Sequence, residues 1–178
     1  MRRRYPDVKI GRGSHVSDDT TIGAHSYIGL HCFVTRARIG RYVSIGNFVS
    51  IGNGEHDLKR VSTASMFYTE GYDILTRGAC VIDSDVWIGV DSVIRRGVHL
   101  GHGCVVGANS FVNKDIPAFA IAVGSPAKVV GYRFPEEIRQ AILDSGWWQH
   151  APDKAGAIIQ QLEQDLDLTG DMASPDPS

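Results

Sequence analysis

The 178-residue sequence has only three cysteines, an odd number that argues against a disulfide framework and fits a reducing compartment. It has no apolar run long enough to span a bilayer. The Met1-Arg2-Arg3-Arg4 start lacks the apolar core of a secretory signal, so a cytoplasmic protein is expected. A basic excess is missing as well. The net charge is −2 and the isoelectric point about 6.4, which leaves no electrostatic footprint for nucleic acid.

What is present is a period. From Ile10 an aliphatic residue returns every six positions, usually followed by glycine: Ile10-Gly11, Ile22-Gly23, Ile28-Gly29, Ile39-Gly40, Ile45-Gly46, Ile51-Gly52, Ile88-Gly89, Leu100-Gly101 and Val106-Gly107. Val16, Val34, Ile82, Ile94 and Val112 keep the phase without the glycine. A small residue follows four places later at Ser14, Thr20, Ser26, Cys32, Val43, Val49, Ser92, Cys104 and Ser110. Neither an amphipathic helix nor an alternating strand has this period; a hexapeptide-repeat β-helix does. One repeat per face and three faces per turn make a prism of roughly 18 residues per coil. The aliphatic and the small residue point inward, which makes packing the expected role of Cys32 and Cys104. Gly, Asn or Asp is expected near each corner, where the backbone angles resist a β-branched residue.

The first block of repeats runs from about Ile10 to Gly52, with a five-residue step between Val34 and Ile39. Repeats resume near Ile82 and end near Asn113, for roughly four to five coils in all. Between the blocks lies an aperiodic loop over about 53–80, a length that inside a compact domain points to function. The expected architecture is therefore all-β over residues 1–130, with this excursion loop. A helical extension is expected over 131–168, with Phe134, Ile138, Ala141 and Ile142, then Ile158, Ile159, Leu162 and Leu166, at helical spacing. A disordered Asp/Pro/Ser-rich tail is expected over 169–178.

Three stretches carry a resemblance. They are Val49-Ser50-Ile51-Gly52-Asn53-Gly54-Glu55-His56-Asp57 with Val61-Ser62-Thr63 and Phe67-Tyr68; Asp85-Val86-Trp87-Ile88-Gly89 with Val112-Asn113-Lys114-Asp115-Ile116-Pro117 and Ala122-Val123-Gly124-Ser125-Pro126-Ala127-Lys128; and Tyr132-Arg133-Phe134-Pro135-Glu136-Glu137-Ile138 running on to Gly146-Trp147-Trp148. Through them the chain resembles the left-handed parallel β-helix (hexapeptide-repeat) acyltransferases over about residues 10–150. Within these it resembles the branch of type B chloramphenicol acetyltransferases, streptogramin acetyltransferases and related polysaccharide O-acetyltransferases.

The resemblance implies a homotrimer that binds acetyl-CoA between adjacent prisms, with no metal, and His56 as the catalytic base. Chemistry agrees, because a neutral imidazole can take a hydroxyl proton during acetyl transfer without a covalent acyl-enzyme. Glu55, Asp57 or a backbone carbonyl would orient it. Family position gives Trp87, Gly107, Ala108, Ala122, Gly124 and Lys128 as cofactor-binding candidates, with Lys128 meeting a CoA phosphate. Arg95-Arg96 stands where a proline is usual before Gly97 and is read as solvated, with positive charge beside the CoA groove as the other reading. Ala64-Ser65-Met66-Phe67 lacks the proline and paired aromatics common in the antibiotic enzymes. The implied reaction is O-acetylation of a hydroxyl on a sugar or polysaccharide precursor. An antibiotic acceptor of the chloramphenicol or streptogramin type, or a sugar amine, is the alternative. A zinc enzyme of the γ-carbonic anhydrase kind is a remote one, suggested by His99 and His102, which a corner should separate. A non-catalytic β-helix scaffold is another. His15, His25 and His31 are read as surface residues, and Tyr27, Tyr42, Phe48 and Phe111 as core or interface.

Overall fold

Each aliphatic of the six-residue phase ends a short strand, because its side chain turns inward where the chain is extended. Before the loop these strands are β1 (Lys9–Ile10), β2 (His15–Val16), β3 (Thr21–Ile22), β4 (Tyr27–Ile28), β5 (Phe33–Val34), β6 (Ala37–Ile39), β7 (Ser44–Ile45) and β8 (Ser50–Ile51). After it come β9 (Cys80–Ile82), β10 (Trp87–Ile88), β11 (Val93–Ile94), β12 (His99–Leu100), β13 (Val105–Val106), β14 (Phe111–Val112), β15 (Ala120–Val123) and β16 (Lys128–Tyr132). Every third strand joins the same sheet. The first sheet runs β1-β4-β7-β10-β13-β15-β16, the second β14-β11-β8-β5-β2 and the third β12-β9-β6-β3. All pairings are parallel except β15 with β16, which turns back along the last coil. This computed structural model describes residues 5–168. The expected disordered tail lies outside the described residues.

The register stacks the inward residues into ladders: Ile10, Ile28, Ile45, Ile88, Val106 and Ala122 on the first sheet. Val16, Val34, Ile51, Ile94 and Val112 stack on the second. Ile22, Ile39, Ile82 and Leu100 stack on the third, where Ile116 adds a bridge. The small residues fill the remaining interior, and their hydroxyls satisfy backbone groups at the bends. Ser26, for example, donates to the Gly40 carbonyl at 3.0 Å and accepts the Val43 amide at 3.0 Å.

The corners bear out the expectation in part. The left-handed residue lies three places after the aliphatic; it is Gly, Asp or Asn at Gly13, Asp85, Asp91, Gly97, Gly103 and Asn109, but a large ring at His25, His31, Tyr42 and Phe48, with φ of 65°, 54°, 59° and 58°. Each of these four donates its amide one coil down, as His31 does to the Arg12 carbonyl at 3.2 Å and Phe48 to the Leu30 carbonyl at 2.8 Å, which offsets a conformational cost of about 1–2 kcal/mol. The rings also stack up the prism edge, His31 on Phe48 at 5.4 Å. Most glycines that follow the aliphatics serve another purpose. A Cβ on Gly11 would lie 2.3 Å from the Gly29 carbonyl oxygen, and one on Gly89 2.5 Å from the Ala108 nitrogen. There glycine lets successive coils stack.

The chain divides into units of residues 1–133 and 134–178. The second contains helices α2 (Glu136–Ser145) and α3 (Pro152–Asp165), with Pro135 capping the first and Gly146 ending it at φ 54°. Trp147 and Trp148 between them are buried and meet edge to face at 5.8 Å. Among the described residues no helix is long and apolar enough to cross a membrane.

Candidate active site

The excursion leaves the second sheet after Ile51 and returns on the third at Cys80, so it hangs from the edge between them. Its far half folds into a short turn over Ser65–Phe67 and helix α1 (Gly71–Leu75). The Thr76 hydroxyl donates to the Tyr72 carbonyl at 2.7 Å and ends that helix. Three ties hold the loop down. The Glu55 amide donates to the Leu75 carbonyl at 2.7 Å, closing the base of the loop on itself. The Arg95 guanidinium, on the adjoining coil, grips the Glu55 carboxylate with two hydrogen bonds of 2.8 Å. Arg36 reaches both Asp19 on the prism (2.9 Å) and Asp73 on α1 (2.5 Å), and the Tyr72 hydroxyl donates to Asp19. Burial pushes the Asp19 carboxyl up, but hydrogen bonds from Ser17, Arg36 and Tyr72 and the Arg36 charge outweigh it and lower its pKa to about 2.

His56 is exposed near the start of this loop, and its Nδ1 lies against the Thr63 carbonyl oxygen. A carbonyl only accepts, so Nδ1–H donates, and in the neutral form of the ring the lone pair then lies on Nε2. Of the orienting groups expected beside His56, the structure has the backbone carbonyl. Glu55 is turned to Arg95, and Asp57 accepts the Lys59 amide at 3.0 Å. Tyr68, 7% exposed, braces the arrangement: its hydroxyl donates to the Thr63 carbonyl at 3.3 Å and accepts the Asp57 amide at 3.2 Å. Arg60 lies over the Tyr68 ring at 4.9 Å.

Arg95 is exposed, as expected, though paired with Glu55, while Arg96 is partly buried, which corrects the expectation for that residue. Ile94 is in register with Ile51, so the two residues after Ile94 sit beside the loop's exit. Arg95 takes Glu55, while Arg96 packs against Gly52 and donates from Nη1 to the Arg36 and Gly78 carbonyls at 3.2 Å each. Desolvation lowers the Arg96 pKa from its usual value. That register was the signal available for Arg95. Nothing in the pattern marked the Thr63 carbonyl, because any residue type supplies one.

The cofactor candidates gather elsewhere. Trp87 faces outward on the first sheet between Ser44 and Val105 and is 55% exposed. Gly107 and Ala108 form the corner after β13, and a Cβ on Gly107 would lie 2.7 Å from Val123 Cγ1. Gly124, at φ 98°, and Lys128 are exposed on the turn and strand that follow β15. Ala122 points into the prism, fully buried, so only its backbone faces a neighbour. Within one chain the second sheet separates these residues from His56. His99 and His102 converge on a single carboxylate, with Asp83 Oδ2 at 2.9 Å and 3.9 Å. Among the described residues no group of three or more His, Cys, Asp or Glu is placed to hold a metal ion.

A family model, "Bacterial transferase hexapeptide (six repeats)", matches residues 79–114. A chloramphenicol acetyltransferase of Klebsiella aerogenes is 39% identical over 85 residues, 48% of this chain and 40% of the relative. A probable acetyltransferase of Mycobacterium tuberculosis is 33% identical over 135 residues, 71% of this chain and 44% of the relative. The chain thus spans half or less of the length of these curated relatives. The hexapeptide-repeat acetyltransferase VCA0836 of Vibrio cholerae, solved in complex with acetyl-coenzyme A, superposes with a TM-score of 0.57 at 27% identity, covering 75% of this chain and 74% of that one. The chain is a hexapeptide-repeat protein with the left-handed β-helix fold of those acetyltransferases.

Proposed function

We propose that the protein is an acetyl-CoA-dependent O-acetyltransferase acting on a hydroxyl of a sugar or polysaccharide precursor, with His56 as general base. The observation that carries this reading is the His56 tautomer: Nδ1–H is committed to the Thr63 carbonyl, and Nε2 is left as a proton acceptor in an exposed loop. In the reaction Nε2 takes the acceptor's hydroxyl proton while that oxygen attacks the thioester carbonyl. The tetrahedral oxyanion then collapses, the C–S bond breaks, and the imidazolium returns the proton to the CoA thiolate. The acetyl-CoA complex of the Vibrio cholerae neighbour supports the choice of donor.

The second sheet stands between His56 and Trp87, Gly107, Ala108, Gly124 and Lys128, and it supports a shared site. Its outward row includes Phe33, Val93 and Phe111, each at least 36% exposed. Packing this apolar face in a homotrimer would set the cofactor strip of one subunit against His56 of the next. Lys128 would then meet a CoA phosphate as a point charge. A second reading, an antibiotic acceptor, is favoured by the similarity to chloramphenicol acetyltransferases. The test is acceptor-dependent release of CoA from acetyl-CoA, measured by thiol detection across sugars, nucleotide sugars and antibiotics. Release with a sugar hydroxyl supports the proposal, release only with chloramphenicol supports the second reading, and release with none contradicts both.

A further inference from the structure

We infer that the acceptor carries an anionic group, a carboxylate or a phosphate, seated beside His56 against Lys59 and Arg77, in the field of the Arg96 charge. This rests on the acyl-transfer reading of His56 and adds the charge of the molecule it serves. His56 lines a cavity of about 300 Å³ whose other charged residues are Glu55, Asp57, Lys59, Arg77, Arg95 and Arg96. Glu55 and Arg95 cancel, both carboxylate oxygens being held by both prongs of one guanidinium. Three cations then face the single carboxylate of Asp57, in a chain whose overall charge is −2. The side chains of Lys59 and Arg77 are exposed and have no ion pair among the described residues.

Arg96 supplies the independent observation. Its Nη1 is satisfied, but its Nε and Nη2 are buried with no hydrogen-bond partner. Buried donors without acceptors are costly, and the Arg96 charge, which has no ion pair among the described residues, adds to the positive potential of the cavity it lines and favours an anion there. A neutral sugar offers hydroxyls, each a weaker acceptor, and would leave the local positive charge uncompensated. The cations do not compete for the chemical step, since the proton acceptor is Nε2 of His56. Placed around it, they orient the acceptor by its charged end, which is how a small polar site selects one hydroxyl among several.

The test is calorimetric titration of glucuronate, glucose 1-phosphate and glucose into the CoA-loaded protein, repeated with the Lys59→Ala/Arg77→Ala double variant, with acetyl transfer assayed in parallel. The expected result is that at least one anionic sugar binds about tenfold or more tightly than glucose. The double variant should lose most of that advantage and retain its CoA affinity. Which of glucuronate and glucose 1-phosphate binds tighter tells carboxylate from phosphate. Equal affinity for charged and neutral sugars, no binding of any of them, or an advantage that persists in the double variant overturns the inference. So does a double variant that loses CoA affinity instead, because the cations then serve the cofactor. Transfer to neutral sugars without charge preference keeps the acyl-transfer reading and removes this inference; anion binding without transfer does the reverse.

Discussion

Because the Thr63 carbonyl can only accept, His56 carries its proton on Nδ1, and Tyr68 holds that carbonyl where the ring needs it. Tyr68→Phe removes the hydroxyl that bridges Thr63 and the Asp57 amide while keeping the buried ring. The expected outcome is a several-fold loss in kcat, up to about tenfold, with KM for acetyl-CoA unchanged. Steady-state kinetics on the pure variant checks it, and an unchanged kcat would mean that the brace is structural only. The thiols allow a simpler check. Cys32, Cys80 and Cys104 are fully buried and unpaired, and burial raises all three pKa values, that of Cys104 to about 12. A thiol reagent at pH 8 should label none of them in the native protein and all three after denaturation.

The excursion loop was visible as an element in the break of the six-residue period, and His56 in the motif around it. Its anchoring was not, because Asp19, Arg36 and Tyr72 lie far apart in sequence and meet only through the stacking of coils. The five-residue step between Val34 and Ile39 hinted at it: the shortened corner puts Arg36 at φ 45° with its side chain toward Asp19 and α1. Corner chemistry was legible only in part. The glycines were read correctly as repeat markers, yet their reason is close approach between coils, while rings such as Tyr42 and Phe48 take the left-handed angles. The anchor makes a pH-dependent prediction. The Asp19 carboxyl has a folded pKa near 2, below its ordinary value of 3.8, so its contribution is complete above pH 3.8 and is lost as pH falls through 2. Exchange of loop amides, corrected for intrinsic rates, should rise between pH 4 and 2. Asp19→Asn should show that faster exchange already at pH 7. No difference between the variant and the parent would remove the clasp from the account.

For the whole molecule, the sequence pattern was enough to give the prism, since every aliphatic in the six-residue phase reappears in an inward ladder. Stability in such a stack passes from coil to coil. Ile88 lies mid-ladder between Ile45 and Val106 and is fully buried. Ile88→Ala should cost about 2–5 kcal/mol, read as a lower urea midpoint. The proposed pairing of His56 with a neighbour's cofactor strip rests on the family resemblance and not on the repeats, which fix how one chain coils and say little of how prisms meet. The most direct measurement of the central claim compares acceptor-dependent acetyl transfer by the parent protein and His56→Ala, with acetyl-CoA affinity and sedimentation of the same samples. The account predicts a rate loss of roughly two to four orders of magnitude with affinity and assembly unchanged. Near-full activity in His56→Ala would contradict it.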